Sequence, residues 1–190
     1  FTFVNCPAIT KPQTIFNAGH FKGTDVSVMT NDVFMLTDTD RCLAGTAEII
    51  LNSLHSDEVL NEKDLPIKYA GFSPCFRKEA GAAGRDTRGI VRIHQFNKVE
   101  QYIYCTPEQS DEMHEHLLSN LCEIMEDLEL PYRVIAACTG DMGFNKVKMH
   151  TILTDDNYHE FYINHNSKYV ITTSSINENY ISSDNSDLLL

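Results

Sequence analysis

Hydrophobic and polar positions change rhythm several times along the chain, and each change predicts an element. Asp32-Val-Phe-Met-Leu-Thr37 has the β-branched and aromatic content of a strand. Between Ala44 and Leu54, apolar residues fall at helical spacing (Ala47, Ile50, Leu51, Leu54), which predicts a short helix. The polar stretch Asn61-Glu-Lys-Asp-Leu-Pro66 reads as a turn before a strand over Ile67–Phe72. Ala70–Phe76 then leads into a basic, glycine-rich stretch, Lys78–Arg88, while Gly89–Phe96 and Val99–Cys105 lead out of it with the alternation of half-buried strands. The expected product is a long antiparallel hairpin with a flexible tip.

Thr106-Pro-Glu108 carries the signals of a helix start: a hydroxyl N-cap, proline in the first turn, then acid. The helix should run to about Leu128, with Met113, Leu117, Leu121, Ile124 and Leu128 on its buried face. Tyr132–Cys138 reads as another strand, ending in the turn Thr139–Gly143. From Lys146 the composition shifts to Asn, Ser, Thr, Asp and Tyr, with strands expected near Glu160–Ile163 and Lys168–Thr173 and disorder over the last dozen residues. Strands, a helix and further strands in that order imply an α+β domain, a mainly antiparallel sheet flanked by helices.

Composition narrows the possibilities. The chain has 190 residues, of which 42% are hydrophobic and 22% charged, enough for one domain with a sizeable core. No apolar run approaches the ~20 residues of a membrane span, and no membrane partner is expected. The opening, Phe1–Pro7, lacks a basic n-region and an initiator Met, which suggests a start partway through a larger protein. A formal net charge of −12 is unfavourable for generic binding to phosphate backbones. The six scattered cysteines form no C-x-x-C pair and read as core thiols in a reducing compartment.

The hairpin concentrates the chemistry. Arg77 and Glu79 share one strand face, and Arg92, Phe96, Lys98 and Glu100 share one face of the return strand. Paired, the strands would display arginines, glutamates and an aromatic ring together, which suits a planar ligand carrying phosphates and an amine. A solvated, salt-bridged hairpin would show the same charge pattern. Of the histidines, His114 and His116 sit two apart on the predicted helix and so on different faces, which fits surface or structural roles; no metal ligand is assigned.

Residues 76–100, Phe-Arg-Lys-Glu-Ala-Gly-Ala-Ala-Gly-Arg-Asp-Thr-Arg-Gly-Ile-Val-Arg-Ile-His-Gln-Phe-Asn-Lys-Val-Glu, resemble motif 2 of class II aminoacyl-tRNA synthetases in its seryl form. Gly45-Thr-Ala-Glu48 resembles that family's serine-binding Thr-x-Glu loop, with Gly45 where proline is more usual. Leu130–Phe144 resembles the strand and turn after the helix, and Pro7 falls where the motif 1 proline of the dimer interface would. The resemblance runs from residue 1 to about 145, which sets the expected division: a class II synthetase-like catalytic core over 1–145 and a divergent segment over 146–190.

The resemblance implies serine-tRNA ligase activity: ATP-dependent activation of serine to seryl-adenylate, then transfer to tRNA(Ser). By it, Arg77 is the catalytic residue, binding the ATP α-phosphate and the serine carboxylate. Glu79 would accept from the adenine amino group, Arg92 would bind the γ-phosphate, and Phe96 would stack on adenine. Thr46 and Glu100 would hold the serine amino group, and Glu48 would read its hydroxyl. It further implies ATP with Mg2+, a homodimer, tRNA contacts through regions absent from this chain, and a cytoplasmic setting, with a mitochondrial one left open. Where the family carries two acids after the turn, Met149-His-Thr-Ile152 has none, and residues 153–190 contain no arginine to serve as that of motif 3. The alternative that follows is a non-catalytic, synthetase-like protein acting as a binding or dimerisation partner.

Overall fold

Alternation on a long strand and a capped amphipathic helix dominate the computed structural model. It describes residues 1–18, 32–79, 93–140, 142, 146–154, 157–164 and 170–177, with backbone alone from residue 153. The described elements are β1 (Thr2–Asn5), β2 (Ile9–Thr10), α1 (Pro12–Asn17), β3 (Cys42–Leu43), α2 (Ala47–Ser53), β4 (Ile67–Phe76), β5 (Gln95–Cys105), α3 (Ser110–Asp127), β6 (Arg133–Ala136), β7 (Lys146–Thr154), β8 (Asn157–Asn164) and β9 (Val170–Asn177). They fall into two compact units.

The first unit gathers Phe1–Phe3, Asp57–Ala70 and Glu100–Ile176. The strand order of the seven-stranded sheet is β1-β4-β5-β9-β8-β7-β6, and within this unit the pairing is antiparallel from β6 through β7 and β8 to β9. Helix α3 is launched by Thr106, whose side chain and that of Gln109 form a reciprocal capping box, with Pro107 in the first turn. Its buried residues are Met113, His114, Leu117, Leu121 and Met125. Met113 and Leu117 pack with Ile103 and Cys105, while Leu121 and Met125 pack with Ile152. Alternate residues of β7 meet the helix: Lys148 donates to Asp111 and Glu115 at 2.9 and 3.4 Å, His150 bonds His114 at 2.7 Å, and Ile152 joins the apolar cluster. Opposite that strand the buried stripe takes in His114 and Met125, which the spacing did not mark, while the expected Ile124 packs half-buried against the Leu121, Met125 and Ile152 cluster and Leu128 is half-buried.

The second unit contains Val4–Ser56 and Gly71–Val99. Its core joins Ile15, Phe16 and Ala18 to Val33, Cys42 and Ile49. Burial pushes the Cys42 thiol up to about 11, so it stays protonated and behaves as a small apolar group. Of the six cysteines, Cys6, Cys42, Cys75 and Cys105 are buried and Cys138 is exposed, which departs from the core role expected of it. The strand expected over 32–37 reduces to a single bridge, Met35 to Cys42, because Asp38 turns the chain at a φ of 58° and Leu36 N–H already bonds Arg41. The helix expected over 44–54 is α2, which starts after Thr46. The return strand is one unbroken β5, and β4 runs on to Phe76, past the expected Phe72. Strand β8 contains the expected Glu160–Ile163 and β9 overlaps the expected Lys168–Thr173 from Val170 on, whereas residues 168 and 169 and the last dozen lie outside the described ones.

Candidate functional site

Backbone bonds at the end of β4 assemble the site in the second unit. Phe76 N–H donates to Ala44 O at 2.9 Å and Arg77 N–H to His94 O at 2.9 Å, while Lys78 N–H reaches Asp32 O at 3.3 Å. These ties bring the β4 exit, the start of α2 and the β5 entry together, so residues far apart in sequence converge around Arg77.

The Arg77 side chain is exposed but not loose. Its Nε donates to Gly45 O at 3.0 Å, and its guanidinium carbon lies 5.2 Å from the centre of the Phe96 ring. A guanidinium held by its Nε and laid on an aromatic face presents its terminal nitrogens as a pre-set fork for oxyanions. The expected aromatic platform is thus shared, since Arg77 covers part of buried Phe96. A second cation lies beside it: Lys78 Nζ is 5.7 Å from the Phe34 ring, which also meets His94 edge-on at 6.2 Å.

Thr46 caps α2, its hydroxyl accepting from Glu48 N–H at 3.4 Å. The same oxygen accepts from Lys98 Nζ at 2.8 Å. Thr46 and Lys98 are both buried, and Glu48 is only 5% exposed although it stands in the first turn of a helix. A carboxylate is favoured there by the helix dipole, but burying it serves no packing purpose. Glu79 is half-buried and adopts a φ of 53°, a left-handed conformation that a glutamate pays to hold.

The expected residues are therefore distributed as follows. Thr46, Glu48, Arg77, Glu79 and Phe96 all belong to the second unit. Arg92 lies outside the described residues. Glu100 belongs to the first unit and is 1% exposed, on the same inward face of β5 as Phe96 and Lys98. The roles assigned by resemblance left out two groups in this geometry, the Gly45 carbonyl and Lys98. Lys98 was legible as a member of the β5 face, whereas a backbone carbonyl leaves no trace in the residue pattern.

Outside this site, His114, Glu115 and His150 in the first unit bring potential metal-ligand atoms within 4.8 Å. The two imidazoles face each other with centroids 4.9 Å apart and Nε2 of His114 at 2.7 Å from Nδ1 of His150, as expected for a near head-on hydrogen bond. An ion at about 2.0–2.1 Å from each nitrogen does not fit between rings so arranged. Burial, with the neighbouring His150 and Lys148, lowers the His114 pKa to about 4.

Comparison with known proteins identifies the family. Residues 34–184 match the tRNA synthetase class II core domain (G, H, P, S and T), so the match runs past residue 145. The serine–tRNA ligase of Deinococcus radiodurans is 47% identical over 156 residues, covering 81% of this chain and 36% of that protein. That of Pyrococcus horikoshii is 51% identical over 120 residues, 63% of this chain and 26% of the relative. The chain thus spans about a third of the length of these relatives. The crystal structure of seryl-tRNA synthetase from Pyrococcus horikoshii complexed with ATP superimposes with a TM-score of 0.82 at 34% identity, covering 95% of this chain and 45% of that one. The match across most of its length shows that the chain belongs to the class II aminoacyl-tRNA synthetase core family, among relatives that are serine–tRNA ligases.

Proposed function

We propose that this chain is the adenylate-forming part of a serine–tRNA ligase, which joins serine to ATP and passes the seryl group to tRNA(Ser). The observation that carries the reading is the Arg77 guanidinium, anchored on the Gly45 carbonyl and laid on Phe96 beside the buried Thr46–Glu48 turn. The relatives' function and the ATP complex of the Pyrococcus horikoshii enzyme support it.

In the reaction, a serine carboxylate oxygen attacks the α-phosphorus, the bond to the bridging oxygen breaks, and pyrophosphate leaves with that oxygen's electron pair. Charge accumulates on the α-phosphate oxygens, and Arg77 opposes it with a cation already oriented, so little reorganisation is needed as the reaction proceeds. Mg2+ would enter with ATP and would supply charge neutralisation for its phosphates. We assign Glu79 to the adenine amino group, Phe96 to the ring face, Arg92 to the γ-phosphate and Glu48 to the serine hydroxyl. Thr46 is assigned to the serine amino group. A buried carboxylate that pairs with a hydroxyl rejects analogues lacking one, because its own desolvation is then uncompensated.

The same reading makes the assembly a homodimer in the cytoplasm. Phe3 and Ile9 are 68% and 49% exposed near Pro7, and a partner copy would cover them. A monodisperse monomer at high concentration in light scattering would count against the dimer.

Serine-dependent exchange of labelled pyrophosphate into ATP tests the chemistry. Exchange with serine but not alanine, lost in Arg77→Ala, is the expected result. Binding of ATP and a seryl-adenylate analogue without any exchange would favour the non-catalytic, partner-binding alternative.

A further inference from the structure

Lys98 is the one cation of β5 for which the reaction outlined above has no use, yet it is only 8% exposed. Burying an ammonium is unfavourable unless it is held by hydrogen bonds. Its Nζ donates at 2.8 Å to Thr46 Oγ1, across 52 positions of sequence, inside the second unit. The Thr46 oxygen is also the helix cap, accepting from Glu48 N–H at 3.4 Å. The cap bond is long and the lysine bond short, so the lysine holds the hydroxyl more firmly than the helix does. On the other side of the same turn, Arg77 Nε holds Gly45 O at 3.0 Å. Two cations thus grip consecutive residues of the loop, one by its backbone and one by its side chain.

We propose that Lys98 is a positioning residue of the amino-acid end of the site: it locks the Thr46 hydroxyl, and through it the first turn of α2 that carries Glu48. The proposal rests on the adenylate-forming reading above and deepens it. The charge argues for a positioning role of Lys98 and against its direct contact with the serine amino group, which is itself a cation. Thr46 then acts through the backbone it anchors, which makes the lysine a determinant of how well Glu48 is aimed.

The test compares Lys98→Met, which keeps the aliphatic stem, with Lys98→Arg, which keeps a cationic donor. Calorimetric titration of the chain is done with Mg2+-ATP and, separately, with a non-hydrolysable seryl-adenylate analogue. Lys98→Met should weaken the seryl analogue by about tenfold or more and leave ATP within about twofold, with Lys98→Arg recovering most of the loss. Combining Lys98→Met with Thr46→Val should add little to Thr46→Val alone, because the threonine change already removes the lysine's bond together with the cap. Equal weakening of both ligands would mean a general folding role, and unchanged analogue binding would mean no role; either overturns the proposal. If the unaltered chain binds neither ligand, the functional reading fails instead. The Lys98–Thr46 tie is then read from amide hydrogen exchange in the first turn of α2. Exchange at Glu48 should be about tenfold faster in Lys98→Met and restored in Lys98→Arg, and unchanged exchange would overturn the tie as well.

Discussion

The His114–His150 pair makes stability depend on pH in a window that can be worked out. His114 is 1% exposed and its Nδ1 has no hydrogen-bond partner among the described residues. Burial first, then His150 and Lys148, lower its pKa from 6.5 to about 4; Glu115 and Asp111 pull the other way. A group whose folded pKa is depressed contributes stability above its unfolded pKa, and that contribution is lost as pH falls toward the folded value. The window is therefore from 6.5 down to about 4. A shift of this size corresponds to about 3 kcal/mol in full, of which about 2.5 kcal/mol is lost by pH 4.5. Urea unfolding of the chain and of His114→Leu should be compared at pH 7.5 and 4.5. Both lose stability from carboxylates on acidification, so the informative quantity is the difference between them. The unaltered chain should lose about 2 kcal/mol more than the variant over this interval. Parallel losses would refute the reasoning, because the imidazole would then be protonated in the folded state without penalty.

Two glycines should respond in opposite directions to the same change. Gly71→Ala would place a methyl 2.8 Å from Leu51 Cδ1 and 3.0 Å from Cys6 Sγ, and should cost about 1–3 kcal/mol in chemical denaturation. Gly45→Ala meets nothing closer than Phe76 O at 3.5 Å, so it should be neutral or stabilise by about 0.4–1 kcal/mol through the unfolded chain. Thr106→Ala removes half of a capping box and should lower stability by about 1 kcal/mol, with Thr106→Ser close to neutral.

Sequence pattern revealed what local physics controls. Thr106-Pro107 announced its helix because hydroxyl, fixed φ and first-turn acid act within one turn. The alternation at Phe96, Lys98 and Glu100 marked one face of β5, and burial follows it. The candidate site residues Thr46, Glu48, Arg77 and Phe96 were singled out because their spacing resembles a known motif, not because composition marked them. What stayed hidden depends on partners distant in sequence. The stripe of α3 takes in His114 and Met125 because Lys148, His150 and Ile152 stand opposite it, and no helical periodicity carries that information. Residues 32–37 have strand-forming side chains, yet the left-handed turn at Asp38 leaves them only one bridge. Lys98 could be placed on a face, but its role appeared only when the chain brought Thr46 to within 2.8 Å.

The central claim is that Arg77 organises a site for an aminoacyl-adenylate. Its most direct test is calorimetric titration of the chain with a non-hydrolysable seryl-adenylate analogue, set beside Arg77→Ala at matched thermal stability. Saturable one-to-one binding that weakens by about a hundredfold in the variant is the predicted result, since charge-assisted bonds to two ligand groups are lost together. Equal affinity in the two proteins would contradict the claim and leave the arginine as a surface residue resting on Phe96.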